Sequence, residues 1–452
     1  MQRYNIFSKQ IKFSQKYLFL SDILSNFVAR LRYLRKYYQF LLMIREFWVE
    51  NYLSIKDRQT VNFESKSKDD DDLLSMEVAK GIRLNKLGIL YGANASGKSK
   101  MLYAMQTAFC IMRSARSDVR RSVPAFFSKP FALTEDKPTR LYLSFYKDGI
   151  RYDYLVVYHK YYIEHEELYY YPRNSKALFY EREFVSTDSQ ADIKFGQSIN
   201  LKAKTIASIV ENTLNNHSVL ATFSKQMFAD DAKPLRELYN WVAGHFHPVK
   251  NFDKEQTTIV DMMKNACEDE KRKRFYLQML SKADFNIVDF KYERLEKMVE
   301  NETNSRIAFI NNSASGKFEV IDMFQSDGTI AYLSDIRWLY DMLTGDHIYL
   351  LDEFGRDYHY DLLLYYLNVF LYNSEKSQLI FTSQERELLL EDLLNAHRDI
   401  VWFVEKPADT AASIFTRADQ FGLHKNLSLY NSYKIGRLGA KPELGSPYIM
   451  MD

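Results

Sequence analysis

Leu87-Gly-Ile-Leu-Tyr-Gly-Ala-Asn-Ala-Ser-Gly-Lys-Ser99 is the stretch that decides the fold. Leu87 to Tyr91 reads as a short apolar strand. Gly92 to Ser99 has the spacing Gly-x-x-x-x-Gly-Lys-Ser/Thr. Lys100 to Ile111 follows with no Pro or Gly and with apolar residues at helical spacing. A strand, a glycine-rich turn and a helix in that order form the setting of a phosphate-binding loop. The glycines let the backbone wrap round a phosphate with successive N–H groups pointing inward. The helix start adds a partial positive charge. Nucleotide contacts are therefore expected from Gly92, Ala93, Asn94, Ala95, Ser96, Gly97, Lys98 and Ser99. Lys98 is expected to reach the β- and γ-phosphates of ATP as a catalytic cation, and Ser99 to ligate Mg²⁺.

Further along, His347-Ile-Tyr-Leu-Leu-Asp-Glu353 is an apolar strand that ends in two acids. Acids at the carboxyl end of a parallel strand lie beside the ligand crevice. Asp352 is expected to hold the Mg²⁺ that Ser99 touches, and Glu353 to orient or deprotonate the attacking water. Around this strand the pattern alternates. Ile348 to Leu351 is a strand, Tyr358 to Tyr372 a helix, Gln378 to Thr382 a strand, Glu385 to Ala396 a helix and Asp399 to Val404 a strand. That order predicts an α/β fold with a parallel sheet. Gln325-Ser-Asp-Gly-Thr329 precedes a helical run from Ile330 to Leu343. Ser326 reads first as a helix cap, and Ser326 and Gly328 as a second anion cradle for a nucleotide presented by another subunit.

The region between the two halves of the site is long. Phe47–Tyr52 and Arg58–Phe63 read as strands. Arg140–Tyr146 and Arg151–Tyr158 read as a hairpin closed by Asp148-Gly149, with Tyr161–Tyr170 as a further strand. Lys202 to Lys282 reads as helical, with breaks at Pro234 and Pro248. The expected organisation is a basic extension over 1–42, an N-terminal ATPase lobe over 43–200, a helical insertion or arm over 201–300 and a C-terminal lobe over 301–452. The two lobes together are expected to form one split domain.

Composition narrows the rest. The chain has 452 residues and a net charge of +2. Residues 1–42 carry a net +7, which leaves −5 for the remainder. The body is therefore not a broadly basic nucleic-acid binder. Lys271 to Arg274 reads as a solvated helix face, and the Ser65–Asp72 tract as a solvated loop. Residues 1–42 show no small-residue cleavage site, and no apolar run reaches the ~18 residues a membrane span needs. They read as a poorly ordered or untranslated extension, not a membrane element. Two cysteines, Cys110 and Cys267, exclude a disulfide framework and fit a reducing cytoplasm. His159, His165 and His217 read as surface or packing residues.

Taken together, these motifs resemble ABC-type ATPases of the SMC and DNA-repair kind. They are more closely similar to the bacterial AAA family ATPases, or ATP/GTP-phosphatase group, that accompany nucleases in phage defence and abortive infection. Ile44 to Ile55 is similar to that family's opening strand, and Gly92 to Ser99 to its Walker A loop. Ser326-Asp-Gly-Thr329 resembles its short signature, Leu351-Asp-Glu353 its Walker B strand and Ile380-Phe-Thr-Ser383 the strand before its switch residue. Val401 to Lys406 and Tyr433 to Ala440 resemble its closing segments. The resemblance implies a P-loop fold of ABC/SMC type with a mixed sheet, hydrolysis of ATP with Mg²⁺, a homodimer or higher oligomer around ATP, and an effector partner such as a nuclease or toxin. Nucleic acid is a possible partner that nothing indicates, and the apolar-run argument above leads to no expected membrane partner. Two departures stand out. Gln384 occupies the place of the family's switch histidine, as an uncharged counterpart. Gly355-Arg-Asp-Tyr-His-Tyr360 keeps His359 but loses the usual Asp and Pro. They leave two rivals to a hydrolysing, effector-controlling dimer: a nucleotide-gated scaffold with little hydrolysis, and an SMC-like DNA-repair clamp.

Overall fold

The computed structural model describes residues 42–67, 72–123, 129–187, 190–250, 259–283, 285–294, 305–424 and 426–442. The expected extension, apart from its last residue, and Lys68 to Asp71 of the polar tract lie outside them. Strands β1 (Leu42–Glu50), β2 (Gln59–Asn62), β3 (Ser75–Ala79), β4 (Ile82–Asn85) and β5 (Leu87–Tyr91) lead to helix α1 (Lys98–Arg113). Then come β6 (Thr139–Lys147), β7 (Ile150–Tyr158), β8 (Ile163–Tyr170), β9 (Ala177–Glu183) and β10 (Asp192–Phe195). Helices α2 (Ala203–Asn212), α3 (Lys233–His245), α4 (Ile259–Glu268) and α5 (Glu270–Lys282) precede β11 (Ile287–Arg294), β12 (Ser305–Ser313) and β13 (Gly316–Ile321). The remainder is α6 (Asp327–Thr344), β14 (Ile348–Leu351), α7 (Tyr360–Asn373), β15 (Gln378–Ser383), α8 (Asp392–Ala396), β16 (Val401–Glu405), β17 (Ile414–Arg417) and α9 (Leu429–Lys434).

The sheet that carries the phosphate loop runs β14-β15-β5-β16-β17. Its first four strands are parallel and β17 is antiparallel, so the sheet is mixed. β5 comes from the first part of the chain and its neighbours from the last, so one sheet closes the split domain. Residues 246–250 run parallel along the outer edge of β14, with Phe246 paired to Ile348 and Lys250 to Leu351. β5, β14 and β15 are buried at every residue. Near-continuous apolar runs are what a strand covered on both faces requires.

Side chains alternate between two cores. Leu90, Leu350, Ile380 and Trp402 face one; Ile89, Leu351, Phe381 and Phe403 face the other. The first core joins α1, α2 and α3 to the inner face of a seven-stranded antiparallel sheet, β10-β9-β8-β7-β6-β1-β2. The second holds α4 to α7 and the sheet β11-β12-β13. Gln378, fully buried, ties the sheets together: its amide oxygen accepts from Ile44 N at 2.8 Å, and its amide nitrogen donates to Ile44 O and Asn85 O.

Two expectations are corrected. No separate helical arm spans 201–300 among the described residues. α2 and α3 are drawn into the first core by Ile209, Leu235, Leu238 and Trp241, whereas α4 and α5 enter the second through Met262, Met263, Tyr276 and Leu280. β11 then pairs with β12 across the expected boundary at 300. The helix expected over Glu385–Ala396 is broken into a 3₁₀ turn, Glu387–Leu390, and α8. Glu391 between them is extended, and the Asn395 amide donates to the freed carbonyls of Leu389 and Glu391. The break lets Leu388, Leu389 and Leu394 all reach the core. The Asp148-Gly149 turn closes the β6–β7 hairpin with φ of 53° and 76°, the left-handed pair that a two-residue turn of this hand needs.

Candidate nucleotide site

The loop from Gly92 to Gly97 joins the carboxyl end of β5 to the first turn of α1. Gly97 has φ of 108°, and a Cβ there would lie 2.0 Å from Ser413 Oγ. Gly92 is equally confined, since a Cβ would lie 2.3 Å from Val404 O. Ala95 also takes a left-handed conformation, at φ 61°. The loop is braced by distant segments. Ser413 donates to Ser96 O at 2.7 Å and shares a hydrogen bond with Ser54, and Ala93 N donates to Ala440 O. The closing segment thus packs on the loop, with the Tyr433 ring edge-on to Tyr91 at 5.1 Å.

Lys98 is buried and donates to Gly92 O at 2.8 Å and Ala93 O at 2.9 Å. Burial lowers its pKa below the ordinary lysine value, opposed by the carboxylates of Glu353 and Asp352. Ser99 donates to Asp352 Oδ1 at 2.7 Å, so residues 253 positions apart meet across the sheet. Thr382 donates to the same carboxylate oxygen at 2.8 Å and accepts from Glu353 N at 2.7 Å. Its role is set by the β14–β15 register, which no local pattern reveals. A hydroxyl and a carboxylate are hard oxygen donors of the kind Mg²⁺ takes alongside phosphate and water. Ser96 Oγ is buried in the loop with no hydrogen-bond partner among the described residues.

Beyond Asp352 the backbone turns sharply, with Glu353 at φ 54° and Gly355 at φ 78°. The Glu353 carboxylate accepts from Arg356 Nη1 at 2.5 Å and from Gln384 Nε2 at 3.4 Å. A cleft of about 320 Å³ opens here, lined by Asn94, Glu353, Phe354, Gly355, Arg356, Ser383, Gln384 and Glu385. The expected residues Lys98, Ser99, Asp352, Glu353 and Gln384 therefore come together at one end of the sheet. Arg356 joins them unforeseen, and its only signal is the departure of Gly355–Tyr360 from the family wording.

Ser326 and Gly328 do not join that cleft. Ser326 caps α6 by accepting from Thr329 N at 3.2 Å. Gly328 abuts the chain after Glu353, where a Cβ would lie 3.0 Å from Asp357 O. Next to this turn Met323 and Phe324 are 73% and 72% exposed. His359 caps α7 through Asp361 N. Of the basic tract, Arg272, Lys273 and Arg274 face Asp341, Asp289 and Glu270. His159 bonds Glu164, and His217 is buried against Arg116 N. His165 lies with Glu181 and Glu183 on β8 and β9, grouped closely enough to hold a metal ion. No helix among the described residues is long and apolar enough to cross a membrane.

No curated protein matches the chain at a significant level. Solved structures similar to it include the SMC head domain from Thermotoga maritima, 14% identical, with a TM-score of 0.38 and coverage of 83% of this chain and 98% of that one. An SMC head bound to the C-terminal winged-helix domain of ScpA is 13% identical, with a TM-score of 0.41 over 86% and 99% of the two chains. The recombination mediator RecF is 10% identical, with a TM-score of 0.34 over 83% and 99%. At such scores no residue role is carried over from these structures. Residues 88–391, which run from β5 through the Glu353 cleft, match the family described as "AAA domain, putative AbiEii toxin, Type IV TA system", and the chain belongs to that family.

Proposed function

We propose that the chain binds ATP with Mg²⁺ and hydrolyses it between two subunits. The observation that carries this reading is the meeting of Ser99, Asp352 and Thr382 beside Glu353 and the phosphate loop. The Gly92–Ser99 backbone and Lys98 would hold the phosphates. Ser99 and Asp352 would hold Mg²⁺, which when bound neutralises phosphate charge. Water attacks the γ-phosphorus, the bond to the bridging oxygen breaks, and ADP leaves with that electron pair. Glu353 takes the proton from the water.

The Ser326–Gly328 turn faces outward beside exposed Met323 and Phe324, which supports a second subunit's nucleotide docking there. Subunits would thus pair head to tail around ATP, with hydrolysis opening them. The output would be control of an effector, a nuclease or toxin, in antiviral defence within the cytoplasm. The toxin–antitoxin description of the family supports this choice. Gln384 favours one second reading, a scaffold that ATP closes and seldom leaves, because an amide cannot carry a charge. A DNA clamp is disfavoured by the acidic partners of Arg272, Lys273 and Arg274. Glu353→Gln tests the main reading. MgATP binding should persist while turnover falls at least about a hundredfold; undiminished turnover would remove Glu353 from the chemistry.

A further inference from the structure

The charges lining the 320 Å³ cleft are unequal. Glu353 and Glu385 are acidic, Asn94, Ser383 and Gln384 are neutral, and Arg356 supplies the positive charge. A phosphoryl group in transfer spreads negative charge over its oxygens, and a cleft wall with two carboxylates opposes that. Arg356 is placed to offset it. Its guanidinium reaches Glu353 Oε2 at 2.5 Å and meets Asp357 Oδ1 at 3.0 Å and Oδ2 at 3.3 Å. Gly355, left-handed and packed on Leu363, fixes the turn that sends Arg356 back toward Glu353. The arginine side chain is 45% exposed, so its place is not set by core packing.

We propose that Arg356 is a second cation for the γ-phosphate, beside Lys98. Arg356 leaves its pair with Glu353 for the γ-phosphate oxygens when ATP binds. The transfer exchanges one of its two anionic partners, Glu353, for the phosphate, and Asp357 stays beside it, so the guanidinium stays compensated. It has two consequences. Glu353 is released from its ion pair to accept the proton of the attacking water. The planar donor fork then faces the three oxygens on which charge accumulates, which favours paired hydrogen bonds. The γ-phosphate thereby assembles its own catalytic centre, and ADP, which lacks that group, leaves Glu353 held. Arg356 exchanges no proton, so the balance of hydrolysis is unchanged.

This inference rests on nucleotide binding at Gly92–Ser99, and its test separates the two. ATP and ADP affinities are measured for the full chain with Mg²⁺, as wild type, Arg356→Gln and Arg356→Lys, together with single-turnover hydrolysis. Glutamine keeps a hydrogen-bonding side chain without charge; lysine keeps charge without the fork. Arg356→Gln should lose roughly ten- to a hundredfold of its preference for ATP over ADP, the scale of a charged hydrogen bond. Its ADP affinity should not move, and its hydrolysis should slow by about a hundredfold or more. Arg356→Lys should fall between it and wild type. An unchanged ATP preference, or hydrolysis by Arg356→Gln as fast as wild type or faster, overturns the proposal. A wild-type chain that binds no MgATP overturns the underlying reading as well.

Discussion

At the residue scale, the legible part of the site is the part written in contiguous words. Gly92 to Ser99 can be read locally because the loop's demands, tight turns and inward N–H groups, are local too. Asp352 and Glu353 are legible because they end an apolar run. Thr382, Ser413, Ser54 and Ala440 are different. Each touches the site through a partner distant in sequence, 30 positions away for Thr382 and 317 to 359 for the others, set by strand register or by the closing segment, so nothing beside them in sequence marks them. His165 reads as a surface or packing residue from sequence, yet its environment has a consequence. Hydrogen bonds that its ring donates to Glu167 first, and then to Glu183, raise its pKa from 6.5 to about 9 against partial burial. A folded-state pKa raised above the unfolded value adds stability below about pH 6.5, and that increment is lost as pH rises through about 9. The denaturation midpoint should therefore drop across that window in wild type, and His165→Gln should flatten the drop. An equal slope in the variant would contradict the assignment.

At the element scale, apolar periodicity gave the parallel strands and α1, α6 and α7 to within a few residues, because burial on both faces leaves long apolar runs. It could not place the helices of 201–300, whose apolar faces fit equally an arm or a packed layer. Nor could it see the buried charge beneath the antiparallel sheet. Glu166 and Arg182 are both fully buried, 3.6 Å apart. Glu166 accepts from Tyr154, Tyr180 and Ser218, and Arg182 donates to the carbonyls of His217 and Leu214. These bonds fasten β8 and β9 to the turn before Leu220. Arg182→Ala leaves a carboxylate buried without its cation and should cost about 3–5 kcal/mol in urea unfolding. A loss under about 1 kcal/mol would mean that water or protonation satisfies Glu166 instead.

At the scale of the whole molecule, one sheet drawn from both ends of the chain brings the two halves of the site together, while the Ser326–Gly328 turn stays outside the cleft. The proposed pairing of subunits around ATP would account for that separation, and for two large apolar side chains left exposed beside the turn. Phe324→Asp should then weaken ATP-dependent self-association at least about tenfold, as for a central interface side chain. Sedimentation with and without MgATP measures it, and self-association equal to wild type would move the interface elsewhere. The central claim is that ATP held at Gly92–Ser99 is hydrolysed with Glu353 as the base. Its most direct test is single-turnover hydrolysis of bound MgATP by wild type and Glu353→Gln at matched occupancy. The account predicts rapid conversion to ADP by wild type and retained, almost uncleaved ATP in the variant. Equal rates in the two, or no cleavage by either, would contradict it.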